Sequence, residues 1–135
     1  MSLPSHSLRF GPISVAAPGP LYEQVIAAVK REIVAGRLKA GDPLPSVRVL
    51  AADLLISLIT VKRAYDDLQR EGLVYSRQGL GAFVADGAAE RVRGQKGEAA
   101  RAALGDAIET GRAAGLGDED LIEMLKAELT RRREP

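Results

Sequence analysis

The chain has 135 residues, of which 27% are charged, 46% hydrophobic and only 4% aromatic. That length holds one ordinary domain, or a small domain with an appendage, and excludes a large multidomain enzyme. Nineteen Lys and Arg against eighteen Asp and Glu leave a net charge of +1, so any basic surface for nucleic acid must be local. With no Cys and a single histidine, His6, disulfides, thiolate metal sites and Ser/His or Cys/His nucleophilic machinery lack their parts. No metal and no organic cofactor is expected. No apolar run approaches a membrane span, and residues 1–19 lack the basic start and apolar stretch of a signal peptide. The expectation is a soluble, cytoplasmic protein with no membrane partner.

Residues 1–8 are expected to form a flexible leader. Within the proline-containing stretch that follows, Ile13, Ser14 and Val15 alternate enough for a short edge strand. From Pro20 the pattern becomes helical. Leu21, Val25, Val29 and Ile33 recur every four residues with charges on the opposite face, and Gly36 closes the helix. Gly41, Asp42, Pro43 and Pro45 then make a turn that no helix crosses. Ser46 offers a hydroxyl to cap a second helix with Val49, Leu50 and Leu54 as its inner face, although Val49 stands where the reciprocal acid of a capping box belongs. A second break near residues 55–57 lets Ser57 cap a third helix, in which Val61, Ala64, Tyr65 and Leu68 turn inward. Two short helices with a tight turn between them make a helix-turn-helix candidate.

After Gly72 two apolar, strand-sized runs, Leu73-Val74-Tyr75 and Ala82-Phe83-Val84, flank Ser76 to Gly81, whose glycines suit a hairpin tip. Three helices and a hairpin describe a winged helix-turn-helix domain over residues 9–86. The fold class expected is mainly α with a small β-hairpin, followed by a two-helix dimerisation tail over 87–135. In that tail Gly94, Gly97, Gly105 and Gly111 each cost about 1 kcal/mol relative to Ala, which predicts a broken or partner-dependent helix. Asp118, Glu119 and Asp120 mark the start of a last helix, and Arg131, Arg132 and Arg133 suit its end. So short a tail cannot bury two apolar stripes alone and must pack on itself, on the winged domain or on a second copy; in the last case Leu104 and Ile108, with Leu121, Ile122, Leu125 and Leu129, are the candidates for a homodimer interface.

The chemistry-bearing candidates lie on the third helix and around it. With Val61, Ala64, Tyr65 and Leu68 inward, Leu58, Ile59, Lys62, Arg63 and Asp66 project outward near the helix start, where a recognition helix meets base edges. Lys62 and Arg63 suit phosphate or guanine, and Thr60 suits phosphate or the helix end. Ser46 and Arg48 lie at the start of the second helix, which crosses the phosphate backbone in this architecture. Arg77, Gln78 and Gly79 at the hairpin tip suit a minor groove. Each feature taken singly is also an ordinary cap, turn or solvated charge, and their combination is what points to DNA.

The runs PLYEQVIAAVKREIVAGRLKAGDPLPSVRVLA and TVKRAYDDLQREGLVYSRQGLGAFV closely resemble the DNA-binding domain of the GntR family of bacterial transcription regulators. The short tail resembles the YtrA-type branch, in which two helices build a homodimer. The resemblance implies that Arg48, Thr60, Lys62, Arg63 and the wing around Gly79 contact double-stranded DNA. It also matches Tyr22 and Tyr65 to recurring family tyrosines. The chain departs from the family pattern at Leu55, Leu58 and Ile59, where a Gly, a Pro or Arg, and an Asn are usual. The resulting expectation is a dimeric, sequence-specific repressor on an inverted repeat, not an enzyme, and no effector is read from the residues. The alternative is a winged-helix protein-interaction module with weakened DNA binding, in which Leu58 and Ile59 serve a protein partner.

Overall fold

The computed structural model describes residues 19–133. The edge strand expected at residues 13–15, the leader and His6 lie outside them. The chain divides into two compact units, Met1–Gly94 and Gln95–Pro135.

In the first unit, α1 (Leu21–Val34), α2 (Val47–Leu54) and α3 (Leu58–Arg70) precede a hairpin of β1 (Val74–Arg77) and β2 (Gly81–Val84). α3 is the central element and packs on α1, α2 and β1. Its Val61, Ala64 and Leu68 are fully buried, as the four-residue spacing predicts, and meet Val25, Val29 and Ile33 of α1 in one apolar core. The hairpin is antiparallel with Val74 opposite Val84 and Tyr75 opposite Phe83, whose rings stack at 5.6 Å. The segment read as a plain turn does more than reverse the chain. The Gly41 N–H donates to the Val84 carbonyl, Val84 N–H to Asp42 and Leu44 N–H to Ala82, so this segment runs beside β2 and anchors the hairpin.

One expectation on the inner faces needs correction. Val49 is 40% exposed, whereas Leu50 and Ala51 fill the inner face of α2. α2 has only eight residues, so its buried stripe is one turn wide and Val49 falls outside it. The first unit also extends beyond residue 86. Ala88 and Val92, in the first turns of α4 (Ala88–Ala113), are buried in its core, and the Arg91 guanidinium donates to the Gly72 and Asp86 carbonyls at 2.9 Å each. An apolar pair four residues apart, at the start of the stretch read as the tail, completes the core.

The second unit contains the rest of α4 and α5 (Asp118–Arg133). Of the two expectations for this stretch, a broken helix or one that needs a partner, the break does not occur: α4 is continuous through four glycines. Its eight alanines carry the best helix propensity and offset the glycines' cost. α4 ends with the Leu116 N–H donating to Gly111 and the Gly115 N–H to Arg112, the paired bonds of a Schellman motif. At Gly111 the helices of this hairpin approach closely, since a Cβ built there would stand 2.5 Å from Leu121 Cδ2. The last helix starts where its three acids predict, with Asp118, Glu119 and Asp120 in its first turn and three arginines in its last.

Candidate nucleic-acid interface

The start of α3 is built by its cap. Ser57 is extended, its Oγ accepts the Thr60 N–H at 3.1 Å, and it shares a 2.7 Å hydrogen bond with Thr60 Oγ1. These bonds fix the first turn, so Leu58 and Ile59 leave the surface in defined directions. Thr60 is half-buried and closes the helix end. The same logic holds at α2, where Ser46 Oγ accepts the Val49 N–H at 3.1 Å without a reciprocal acid.

Between these helices the chain turns at Leu55, the one non-glycine with positive φ (59°) among the described residues. The Ile56 N–H donates to Ala51 and the Leu55 N–H to Ala52, the bond pattern that ends α3 at Gly72. A left-handed leucine costs about 1–2 kcal/mol, and this side chain, 90% exposed, recovers little of it by packing. The turn keeps its shape because the helix ends on both sides determine it.

Tyr65 fixes the angle between α2 and α3. Its ring is buried and its hydroxyl donates to the Pro45 carbonyl at 2.7 Å, tying the entry of α2 to the middle of α3. Burial holds its phenol well above the ordinary tyrosine range, so the hydroxyl keeps its proton and remains a donor. This bond joins residues twenty positions apart, and no periodic signal in the sequence announces it.

The polar side chains on the outer face of α3 are held individually. The Arg63 guanidinium lies 3.7 Å above the centre of the Tyr22 ring, a cation–π contact that joins α3 to α1 and keeps the charge at the surface. Tyr22 thus belongs to the face through Arg63. Lys62 pairs with Asp66 at 3.4 Å, an exposed i,i+4 contact worth only a few tenths of a kcal/mol and easily exchanged for a phosphate. Asp67 is paired with Arg70.

A groove of about 500 Å³ runs between α3 and the wing, with Arg48, Leu58, Lys62, Arg77, Gln78 and Gly79 among its lining. Residues from the start of α2, the start of α3 and the hairpin tip therefore meet on one face. Ser76 Oγ donates to Gln69 Oε1 at 2.9 Å and holds the wing against α3. At the tip Gly79 has φ 78°, a conformation that lets the strands reverse without a side chain in the way. Ile59 lies beside a second depression shared with Lys62, Arg63 and Arg70.

This arrangement, a capped helix presenting cations beside a glycine-tipped hairpin, is that of a winged helix-turn-helix domain. Comparison with known proteins agrees: residues 21–84 match the family described as bacterial regulatory proteins, gntR family. The HTH-type transcriptional repressor YtrA of Bacillus subtilis (strain 168) is 35% identical over 107 residues, covering 79% of this chain and 82% of that protein. The chain belongs to the gntR family. A second regulator of that bacterium, YhcF, is 33% identical over 79% of this chain and 88% of its own length. Among solved structures, a transcriptional regulator from Oenococcus oeni superposes with a TM-score of 0.72 at 27% identity, over 86% of this chain and 96% of that one.

As a gntR-family member the protein is a DNA-binding transcription regulator, not an enzyme. Among its described residues no helix is long and apolar enough to cross a membrane. Of the residues singled out from sequence, Tyr22, Arg48, Leu58, Ile59, Lys62, Arg63, Arg77, Gln78 and Gly79 reach the surface of this gntR-type face. Ser46, Ser57 and Thr60 spend their hydroxyls on helix ends. Sequence reasoning missed the Tyr65–Pro45 bond, the Ser76–Gln69 bond and the strand-like pairing of residues 41–44, all of which depend on contacts distant along the chain.

Proposed function

We propose that the protein is a homodimeric repressor occupying an operator of two inverted half-sites. Each protomer lays the start of α3 in the major groove. Lys62 and Arg63 contact phosphate or guanine, Arg48 contacts the backbone beside α2, and Arg77, Gln78 and Gly79 reach the adjacent minor groove. The capped first turns of α2 and α3, with Ser46, Ser57 and Thr60, set the register. The observation that carries this reading is the convergence of Arg48, Lys62 and Arg77 on one groove. Repression as the direction of control is supported by the name of the YtrA relative.

Dimerisation is assigned to the tail. Leu104, Ile108, Ile122, Leu125 and Leu129 are exposed, and a second copy supplies the apolar cover that one two-helix hairpin lacks. Leu121 differs from them, because it is half-buried and packs against Gly111 within the hairpin. Two-fold symmetry then places two recognition helices about one helical turn apart on the duplex. The protein works in the cytoplasm, with DNA and a second copy of itself as partners.

Footprinting the purified chain on its own upstream DNA at 50 and 200 mM salt, with its mass in solution recorded alongside, tests the proposal. Four cations per protomer, Arg48, Lys62, Arg63 and Arg77, predict protection of two symmetric half-sites by a dimer and a loss of affinity of roughly 10⁴-fold between those salts. Absence of protection by a folded dimer overturns it and turns the face of α3 into a protein-contact surface.

A further inference from the structure

We propose that Leu58 and Ile59 form an apolar reading head that recognises the 5-methyl groups of thymine in the major groove of each half-site, an inference that rests on the DNA-binding reading above. Ile59 is 79% exposed and Leu58 42% exposed, yet both sit in the first turn of α3, which two hydrogen bonds from Ser57 hold rigid. Aliphatic side chains offer neither donor nor acceptor. They cannot report on the hydrogen-bonding edge of a base, and pressing them against the amino group of cytosine or adenine leaves that group unsatisfied. The thymine methyl is the one apolar feature a base pair shows in the major groove.

The surroundings select the occupant. Leu58 lies in the groove with Arg48, Lys62 and Arg77, and Ile59 borders the depression with Lys62, Arg63 and Arg70. Two acids, Asp66 and Asp67, share these depressions with five cations, Arg48, Lys62, Arg63, Arg70 and Arg77, so positive charge predominates. A second copy of the chain docking here through the same face would bring like-charged arginines and lysines together. A polyanion places phosphates on those cations and thymine methyls on the aliphatic pair at the same time. The patch is therefore continuous with the phosphate-binding surface, and the half-site is expected to carry one or two thymines facing the start of α3.

Replacing thymine by deoxyuridine deletes that methyl and nothing else. The wild-type chain would first select its half-site from randomised duplex, and each thymine in the selected site would then be changed to deoxyuridine in turn. Burial of one methyl predicts about three- to tenfold weaker binding at one or two positions per half-site and indifference elsewhere. With the double variant Leu58→Ala, Ile59→Ala, binding to the thymine duplex falls to the deoxyuridine level and the difference between the two duplexes disappears. Salt-sensitive binding to a selected site that has no thymine, or that tolerates deoxyuridine everywhere, overturns the inference and leaves the regulator standing. No salt-sensitive DNA binding at all overturns both. Because the deoxyuridine scan uses the wild-type chain, a folding defect in the variant does not decide the outcome.

Discussion

In the first unit Val25, Val29, Val61, Leu68 and Val84 are at most 1% exposed, whereas in the second Leu104, Ile108, Ile122, Leu125 and Leu129 stand 38% to 50% exposed. Both units are built from amphipathic elements, and they differ in what covers the apolar side. Three helices and a hairpin enclose a core from several directions, and one central helix touches most of the others. A hairpin of two helices has one contact seam, here drawn tight at Gly111, and its remaining apolar residues face outward. The first unit is thus complete as a folding unit. The second leaves an apolar stripe uncovered, which is the physical basis for the dimer proposed above.

The sharpest way to probe this contrast is to damage each side. Leu68→Ala removes a fully buried side chain from the meeting point of α3 and α1. It is expected to destabilise the first unit by about 3 kcal/mol, within the usual range for Leu→Ala in cores. Urea denaturation followed by circular dichroism measures the loss, and a change below about 1 kcal/mol would show that this core is not the main source of stability.

On the other side, the double variant Ile122→Lys, Leu125→Lys places four charges in the proposed two-fold interface. Dimer dissociation is expected to strengthen by at least about 100-fold, roughly 2.7 kcal/mol, as read by sedimentation equilibrium. The first unit's own unfolding should persist. A variant that stays dimeric at the wild-type concentration would place the interface elsewhere.

The smallest effect concerns the turn that joins α2 and α3. Leu55→Gly relieves a left-handed leucine without opening a cavity, since the side chain is 90% exposed. The gain of about 1–2 kcal/mol is partly offset by the entropy of an added glycine in the unfolded chain, about 0.5–1 kcal/mol. A net stabilisation of roughly 0.5–1 kcal/mol follows, visible as a rise in Tm. An unchanged or lowered Tm would mean that Leu55 makes a contact worth its strain.

Much of the candidate interface was legible in the sequence because its signals are local. Ser57 followed by a run with Val61, Ala64, Tyr65 and Leu68 inward defines which side chains point out, and that inference needs only the 3.6-residue period. The less legible features were those in which a residue's neighbour is far away in the chain. Arg63 looked like a solvated charge until Tyr22 of α1 came beneath it. Val49 looked like an inner residue because its helix is too short for periodicity to fix the buried stripe.

The sequence by itself determined the helix starts at Ser46 and Ser57, the inward face of α3, the hairpin and the membership of the gntR family, since each is written in caps, turns and spacing within a few residues. Only the tertiary structure decided that α4 runs unbroken through its glycines, that Ala88 and Val92 complete the first core, and that residues 41–44 pair with β2. Those outcomes depend on whether alanine propensity, distant apolar partners and a free strand edge outweigh local costs, and that balance is struck only when the elements meet.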